Sequence, residues 1–284
     1  MIPAPFEYHS PATLKEAIDL LSTKEDVKIL AGGQSLVPLM KLRLAKPGCI
    51  IDLNGIPDLS YIRQEGNRIV IGAMTTHAEI EESQLLRNLC PLLPQTAATI
   101  ADVQIRNRGT LGGSLAHADP AGDMPATVLA LDAEIKVSGP AGERWIKAQD
   151  FFVGLLTSAL EPNEILTEIR LPVLKQPKSA YLKAAQRTSG FAVVGVAVSL
   201  ELDSQGSCQA IAIGVTGISD TAYRAENVEK LLLGKKLDAA VIEKAAAQVT
   251  AGKEIIEDIN GSKEYRAHLA SVYTVRAIEA ALKA

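Results

Sequence analysis

Two adjacent glycines placed directly after a strand constrain this chain more than any other feature of its sequence. Residues 30–40 read LAGGQSLVPLM, and the apolar run that ends there predicts a strand over 27–31. Gly32 and Gly33 are followed by a polar pair, Gln34 and Ser35, and by a short helix predicted over 36–44. A second stretch of the same kind, GTLGGSLAHADPAGDMP, occupies residues 109–125. Glycine lacks a Cβ, so the backbone can take positive φ and a ligand can approach its amides closely. Successive unblocked N–H groups form an anion-binding concavity, and a helix starting at such a loop adds its dipole. A hydroxyl stands beside each pair: Ser35 in the first, Thr110 and Ser114 in the second. A single Gly-Gly is ordinarily a tight turn. Two of similar design suit two phosphates, hence a pyrophosphate.

The common phosphate motifs are absent. No G-x-x-x-x-G-K-[ST] occurs, since Gly234-Lys235-Lys236 lacks both the spacing and the hydroxyl. No G-x-G-x-x-G follows a strand, so a dinucleotide would not bind by the Rossmann route.

Around the two loops the pattern is mixed. Ser10 caps and Pro11 opens a predicted amphipathic helix over 10–22, with Leu14, Ile18 and Leu21 on one face. A strand is expected over 49–53, and hairpins around Glu65-Gly66-Asn67 and around residues 139–142. A helix-rich stretch runs over 77–101, a helix over 126–131 and a strand over 164–172. The basic stretch PVLKQPKSA, with prolines at both Pro172 and Pro177, marks a domain boundary. Beyond it lie three strands, then helices over 223–233, 237–251 and 265–282.

A net charge of -4 argues against a nucleic-acid binder, which needs a basic face. No apolar stretch approaches the ~20 residues that cross a bilayer, and no secretory leader is expected. Cys49, Cys90 and Cys208 lie far apart with no CxxC spacing, so an iron–sulfur or zinc site built from this chain alone is not expected. Three buried thiols in a reducing cytoplasm are the simplest reading. Asn260-Gly261-Ser262 reads as a turn.

AGGQS at 31–35 and TLGGS at 110–114 resemble the paired flavin-binding signatures of the medium, FAD-binding subunits of the molybdenum hydroxylases, the family that includes carbon monoxide and xanthine dehydrogenases. The opening IPAPFEYHSPATLKEAIDLL, HADPAGDMP after the second loop and EILTEIRLP before the linker extend the resemblance over essentially the whole chain. It implies an α+β fold. A vanillyl-alcohol-oxidase-type (PCMH-type) FAD-binding domain of two α/β subdomains would span residues 1–175. A small C-terminal domain of the CO dehydrogenase flavoprotein type, a three-stranded sheet with helices, would span 176–284.

By the same resemblance, Ala31, Gly32, Gly33, Gln34 and Ser35, with Thr110, Leu111, Gly112, Gly113 and Ser114, hold the FAD pyrophosphate through backbone amides. Asp123 hydrogen-bonds ribose or adenine, Leu166 packs near the isoalloxazine, and Lys183 reaches the flavin from the second domain. Read without the resemblance, Asp123 is a helix cap, Leu166 is core and Lys183 is a solvated side chain. Gln34 stands where many relatives carry His, and Ser114 where many carry Asn. Without that histidine the FAD is expected to be non-covalent.

The implied function is electron transfer. Substrate is oxidised at a molybdenum–pterin centre on a large partner. Electrons pass through two [2Fe–2S] clusters on a small partner, and FAD here delivers them to an external acceptor. The complex expected is a dimer of heterotrimers. No side chain of this chain need be catalytic, no metal is expected on it, and no cysteine-rich insertion for an extra cluster is present. Two rivals come from other classes: a metal-dependent hydrolase using His117, Asp119 and Asp123, and a cofactor-free interaction subunit.

Overall fold

A computed structural model of the chain describes residues 1–174 and 178–284. Near the N-terminus β1 (Glu7–His9), β2 (Val27–Leu30) and β3 (Cys49–Asp52) form a parallel sheet in the order β1–β3–β2. Parallel neighbours need crossover connections. Here the helix Leu14–Thr23 links β1 to β2, and the helix Leu36–Lys41 lies between β2 and β3. Central β3 buries Cys49, Ile50 and Ile51, and Ala17 of the first helix packs into the core that contains Ile51.

That first helix starts later than residue 10. Thr13, in extended conformation, is its cap: the Thr13 hydroxyl accepts from the Glu16 amide, and the Glu16 carboxylate accepts from the Ala12 amide. The Thr-x-x-Glu spacing outcompetes Ser10-Pro11 because it satisfies two amides reciprocally.

Seven strands follow: β4 (Ile62–Glu65), β5 (Arg68–Gly72), β6 (Glu134–Gly139), β7 (Gly142–Lys147), β8 (Phe152–Gly154), β9 (Thr157–Ser158) and β10 (Ile165–Pro172). Five form an antiparallel sheet, β4–β5–β10–β6–β7, while β8 and β9 pair as a separate small hairpin. Both expected hairpins are present, at Gly66 and between Gly139 and Gly142.

The third sheet is antiparallel, β11 (Lys178–Ala185), β12 (Ala192–Leu202), β13 (Cys208–Thr216) and β14 (Tyr223–Arg224), in that order. It has four strands rather than three. Tyr223 and Arg224 pair with Val215 and Gly214, and the next helix begins only at Glu226. Residues 192–200 are buried throughout, because the helix Asp123–Ala130 and the long helix Lys263–Lys283 both pack on β12. A strand covered on both faces reads as a continuous apolar run. The helix Asp123–Ala130 also lies against β13 so closely that a Cβ on Gly214 would fall 1.9 Å from the Ala126 carbonyl oxygen.

The third sheet also grips the chain just before that helix. The Gly217 amide and the Thr216 hydroxyl donate to the Pro120 carbonyl at 2.7 and 2.6 Å, and the same hydroxyl lies 2.8 Å from the Gly122 carbonyl. The expected domain boundary between 175 and 176 lies outside the described residues. Among the described residues no helix is long and apolar enough to cross a membrane.

Candidate functional site

The two glycine loops meet. A Cβ on Gly32 would sit 2.1 Å from the Arg108 carbonyl oxygen and 2.7 Å from Gly109 Cα, and one on Gly113 would lie 3.4 Å from Ala31 Cβ. Together they wall a cavity of about 520 Å³, within the range of cofactor pockets. Eleven of the thirteen expected contacts line it: Ala31, Gly32, Gly33, Gln34, Ser35, Thr110, Gly112, Gly113, Ser114, Asp123 and Leu166. Leu111 and Lys183 are not on the lining.

The loops are not equivalent. In the first, Gly33 takes φ 75° and the amides of Gly32, Gly33, Gln34 and Ser35 donate to no protein acceptor among the described residues. The Gln34 side chain folds back, its amide donating to the Gly32 carbonyl at 3.1 Å. Ser35 precedes the helix Leu36–Lys41 without a side-chain capping bond, which leaves its hydroxyl uncommitted to that helix.

The second loop is the start of a helix, Leu111–His117, capped by Thr110. Its first amides are already used. Leu111 donates to the Thr75 carbonyl at 3.0 Å, Gly112 to the Ala73 carbonyl at 2.8 Å and Gly113 to the Thr110 hydroxyl at 3.1 Å. The amides from Leu111 to Gly113 are thus engaged within the protein, whereas those of the first loop are free. The second contributes a floor without side chains and the Ser114 hydroxyl. Its glycines serve packing too, since a Cβ on Gly112 would press within 2.6 Å of Ala73 Cβ.

Asp123 opens the helix Asp123–Ala130 and is 7% exposed. Tyr181 donates its hydroxyl to Asp123 Oδ1, and the Lys183 ammonium donates to Oδ2 at 2.9 Å. Lys183 also donates to the Gly190 carbonyl at 2.7 Å. Burial pushes the Asp123 carboxyl above its usual range, and Lys183 opposes that shift. Lys183 is therefore neither solvated nor on the cavity wall: it fixes Asp123 and the turn at Gly190.

One stretch of the wall is apolar. Ile165 and Leu166 both line it, at a β-bulge between Leu166 and Glu168 that breaks the regular alternation of β10. Leu156, Leu160 and Phe191 join them, Phe191 being 41% exposed. Ala101 (φ 39°) and Leu156 (φ 51°), both on the lining, hold left-handed backbone that non-glycine residues rarely adopt.

The sequence reading missed Phe191 and His77. His77 lines the cavity at 5% exposure, and its Nδ1 is buried with no hydrogen-bond partner. Burial, and secondarily the Arg106 charge, lowers its pKa to about 4. No pattern in the sequence distinguishes it from an ordinary first residue of a helix.

The proposed metal triad does not assemble. His117 and Asp119 line the same cavity, with Nε2 and Oδ2 3.9 Å apart, but the Asp123 oxygens are occupied by Tyr181 and Lys183. Among the described residues the one grouping of three potential ligands is Glu7, His9 and Cys49, none of which lines the cavity. There Lys24 already pairs with Glu7 at 2.7 Å. The cavity lining instead fits a dinucleotide: four free amides on the first glycine loop, a floor without side chains on the second and an apolar wall.

Comparison with known families matches residues 4–174 to the FAD binding domain in molybdopterin dehydrogenase and residues 179–281 to the CO dehydrogenase flavoprotein C-terminal domain. The carbon monoxide dehydrogenase medium chain of Hydrogenophaga pseudoflava is 41% identical over 283 residues, covering 99% of this chain and 98% of the relative. The glyceraldehyde dehydrogenase medium chain of Sulfolobus acidocaldarius is 36% identical, covering 98% of this chain and 99% of the relative. Among solved structures, carbon monoxide dehydrogenase from Hydrogenophaga pseudoflava lacking the Mo-pyranopterin moiety superposes with a TM-score of 0.97 at 42% identity. The match covers 100% of this chain and 99% of that one.

Proposed function

The chain belongs to the FAD-binding medium-chain family of the molybdopterin dehydrogenases, and on that footing we propose that it is the electron-transfer subunit of a molybdenum hydroxylase. The observation that carries the proposal is the pairing of the Ala31–Ser35 amide cradle with the floor at Gly112, Gly113 and Ser114 around one cavity. The cradle binds the FAD pyrophosphate, Ser114 supplies a hydroxyl, and Asp123, held by Tyr181 and Lys183, orients an FAD hydroxyl or ring nitrogen. Ile165, Leu166 and Phe191 exclude water from the apolar part of the site.

Bound FAD supplies the chemistry of accepting electrons singly and releasing them in pairs. The side chains bind, orient and exclude water; none acts as acid or base. Cys49, Cys90 and Cys208 are all buried and unpaired, and the [2Fe–2S] clusters belong to a small partner subunit. The molybdenum–pterin centre belongs to a large one, with the whole a dimer of heterotrimers that reduces an external acceptor. Relatives named for carbon monoxide and for glyceraldehyde match this chain at 41% and 36% identity, so substrate identity is not encoded here.

The test is direct. The purified full chain, supplied with FAD, should take up flavin and show its visible absorption. A chain that takes up none after FAD addition would favour the cofactor-free interaction subunit instead.

A further inference from the structure

Of the four histidines only His77 is buried. It opens the helix His77–Glu82, whose start is fixed by a reciprocal capping box between Thr76 and Glu79. Its backbone amide donates to the Gly109 carbonyl at 2.9 Å, which places the ring against the second glycine loop. A Cβ on Gly109 would lie 2.9 Å from His77 Cδ2 and 3.3 Å from Nε2, so glycine there makes room for the imidazole.

The imidazole is neutral, because burial and the neighbouring Arg106 both disfavour its charged form. A neutral ring carries one N–H and one bare lone pair. Nδ1 is sealed without a partner, and a sealed N–H without an acceptor is rarer than an unpaired lone pair. The proton therefore sits on Nε2, on the ring edge that faces Gly109. Nε2, unlike Nδ1, is not sealed; no hydrogen bond among the described residues engages it, and the residue lines the cavity.

We propose that His77 is a dinucleotide-binding residue, its Nε2–H donating to an acceptor oxygen of bound FAD beside Gly109. The inference rests on the flavin reading above and adds a donor to the second-loop side, where the first helical amides are already engaged. It also explains why a polar ring stands where packing alone would be served by leucine.

His77→Leu keeps bulk and removes both nitrogens; His77→Gln keeps an N–H donor at similar reach. FAD affinity is measured on the flavin-free full chain by titration, with denaturant unfolding of the same flavin-free samples. The Leu variant should bind FAD weaker by on the order of tenfold, the loss of one net hydrogen bond. Its flavin-free form should unfold no more easily than the parent, since an orphaned polar group has been removed. The Gln variant should stay within about threefold of the parent, as a retained donor requires. A parent that binds FAD beside a Leu variant that binds it equally overturns this inference alone. So does a Gln variant that loses as much affinity as Leu. A parent that binds no FAD overturns the flavin reading, and this inference with it.

Discussion

Gly32 approaches Arg108 so closely that a Cβ on it would stand 2.1 Å from the Arg108 carbonyl oxygen. The neighbour is backbone, so no side chain can swing aside. Gly32→Ala should force the two loops apart, lowering stability by about 2 kcal/mol as an overpacked core does. FAD affinity should fall with it. Denaturant unfolding and FAD titration check both; unchanged stability would mean the loops do not touch.

Asp123 and Lys183 form a buried pair, each side chain 7% exposed. Lys183→Met leaves the Asp123 carboxylate without its cation and should destabilise the chain by about 3–5 kcal/mol. Asp123→Asn in the same chain removes the stranded charge and should recover most of that loss. Flavin affinity should not recover, because Asp123 is the member on the cavity wall. A double variant that regains full FAD binding would show that Asp123 makes no contact with the ligand.

The sequence disclosed the cradle better than its supports. The strand–glycine–helix order at residues 27–41 was legible because Gly32 and Gly33 interrupt a clear apolar run. The second pair read as a loop, although Leu111–His117 is helical; glycine's poor helix propensity hides a turn that Thr110 caps and that packs on Ala73. Lys183 pairs with Asp123 rather than standing on the cavity wall, a contact that tertiary packing between β11 and the helix Asp123–Ala130 sets and no local pattern announces. Strand β1, with three residues, and β14, with two, were too short to carry periodicity. His77 and Phe191 reach the cavity only through the fold.

His77 also makes a pH prediction. Its pKa falls from the ordinary 6.5 to about 4 in the folded chain, so between those values the unfolded chain binds a proton that the folded chain does not. The stability from this neutral burial is fully present above the unfolded pKa and is lost as pH falls through that window, at up to about 1.4 kcal/mol per pH unit. Arg106 faces the ring, held by Glu81 at 2.7 Å, and both persist in a His77→Gln variant. The parent should therefore lose more stability than that variant between about pH 7 and pH 4.5. Parallel pH profiles from denaturant unfolding would contradict the buried neutral state.

Gln34 offers no imidazole for a covalent flavin bond, and its amide is folded onto the Gly32 carbonyl. Flavin should therefore leave completely when the holo-chain is denatured and filtered. Flavin retained on the denatured polypeptide would show a covalent link from some other residue.

The central claim is that electrons reach this chain from other chains, and anaerobic absorbance of its bound flavin tests that most directly. Aldehydes, purines, N-heterocycles or carbon monoxide should leave the flavin of the isolated subunit oxidised. The active substrate should bleach it once the molybdenum and iron–sulfur partners are added. Rapid bleaching by substrate with this chain alone, metals removed, would contradict the account and mark a self-sufficient flavoenzyme.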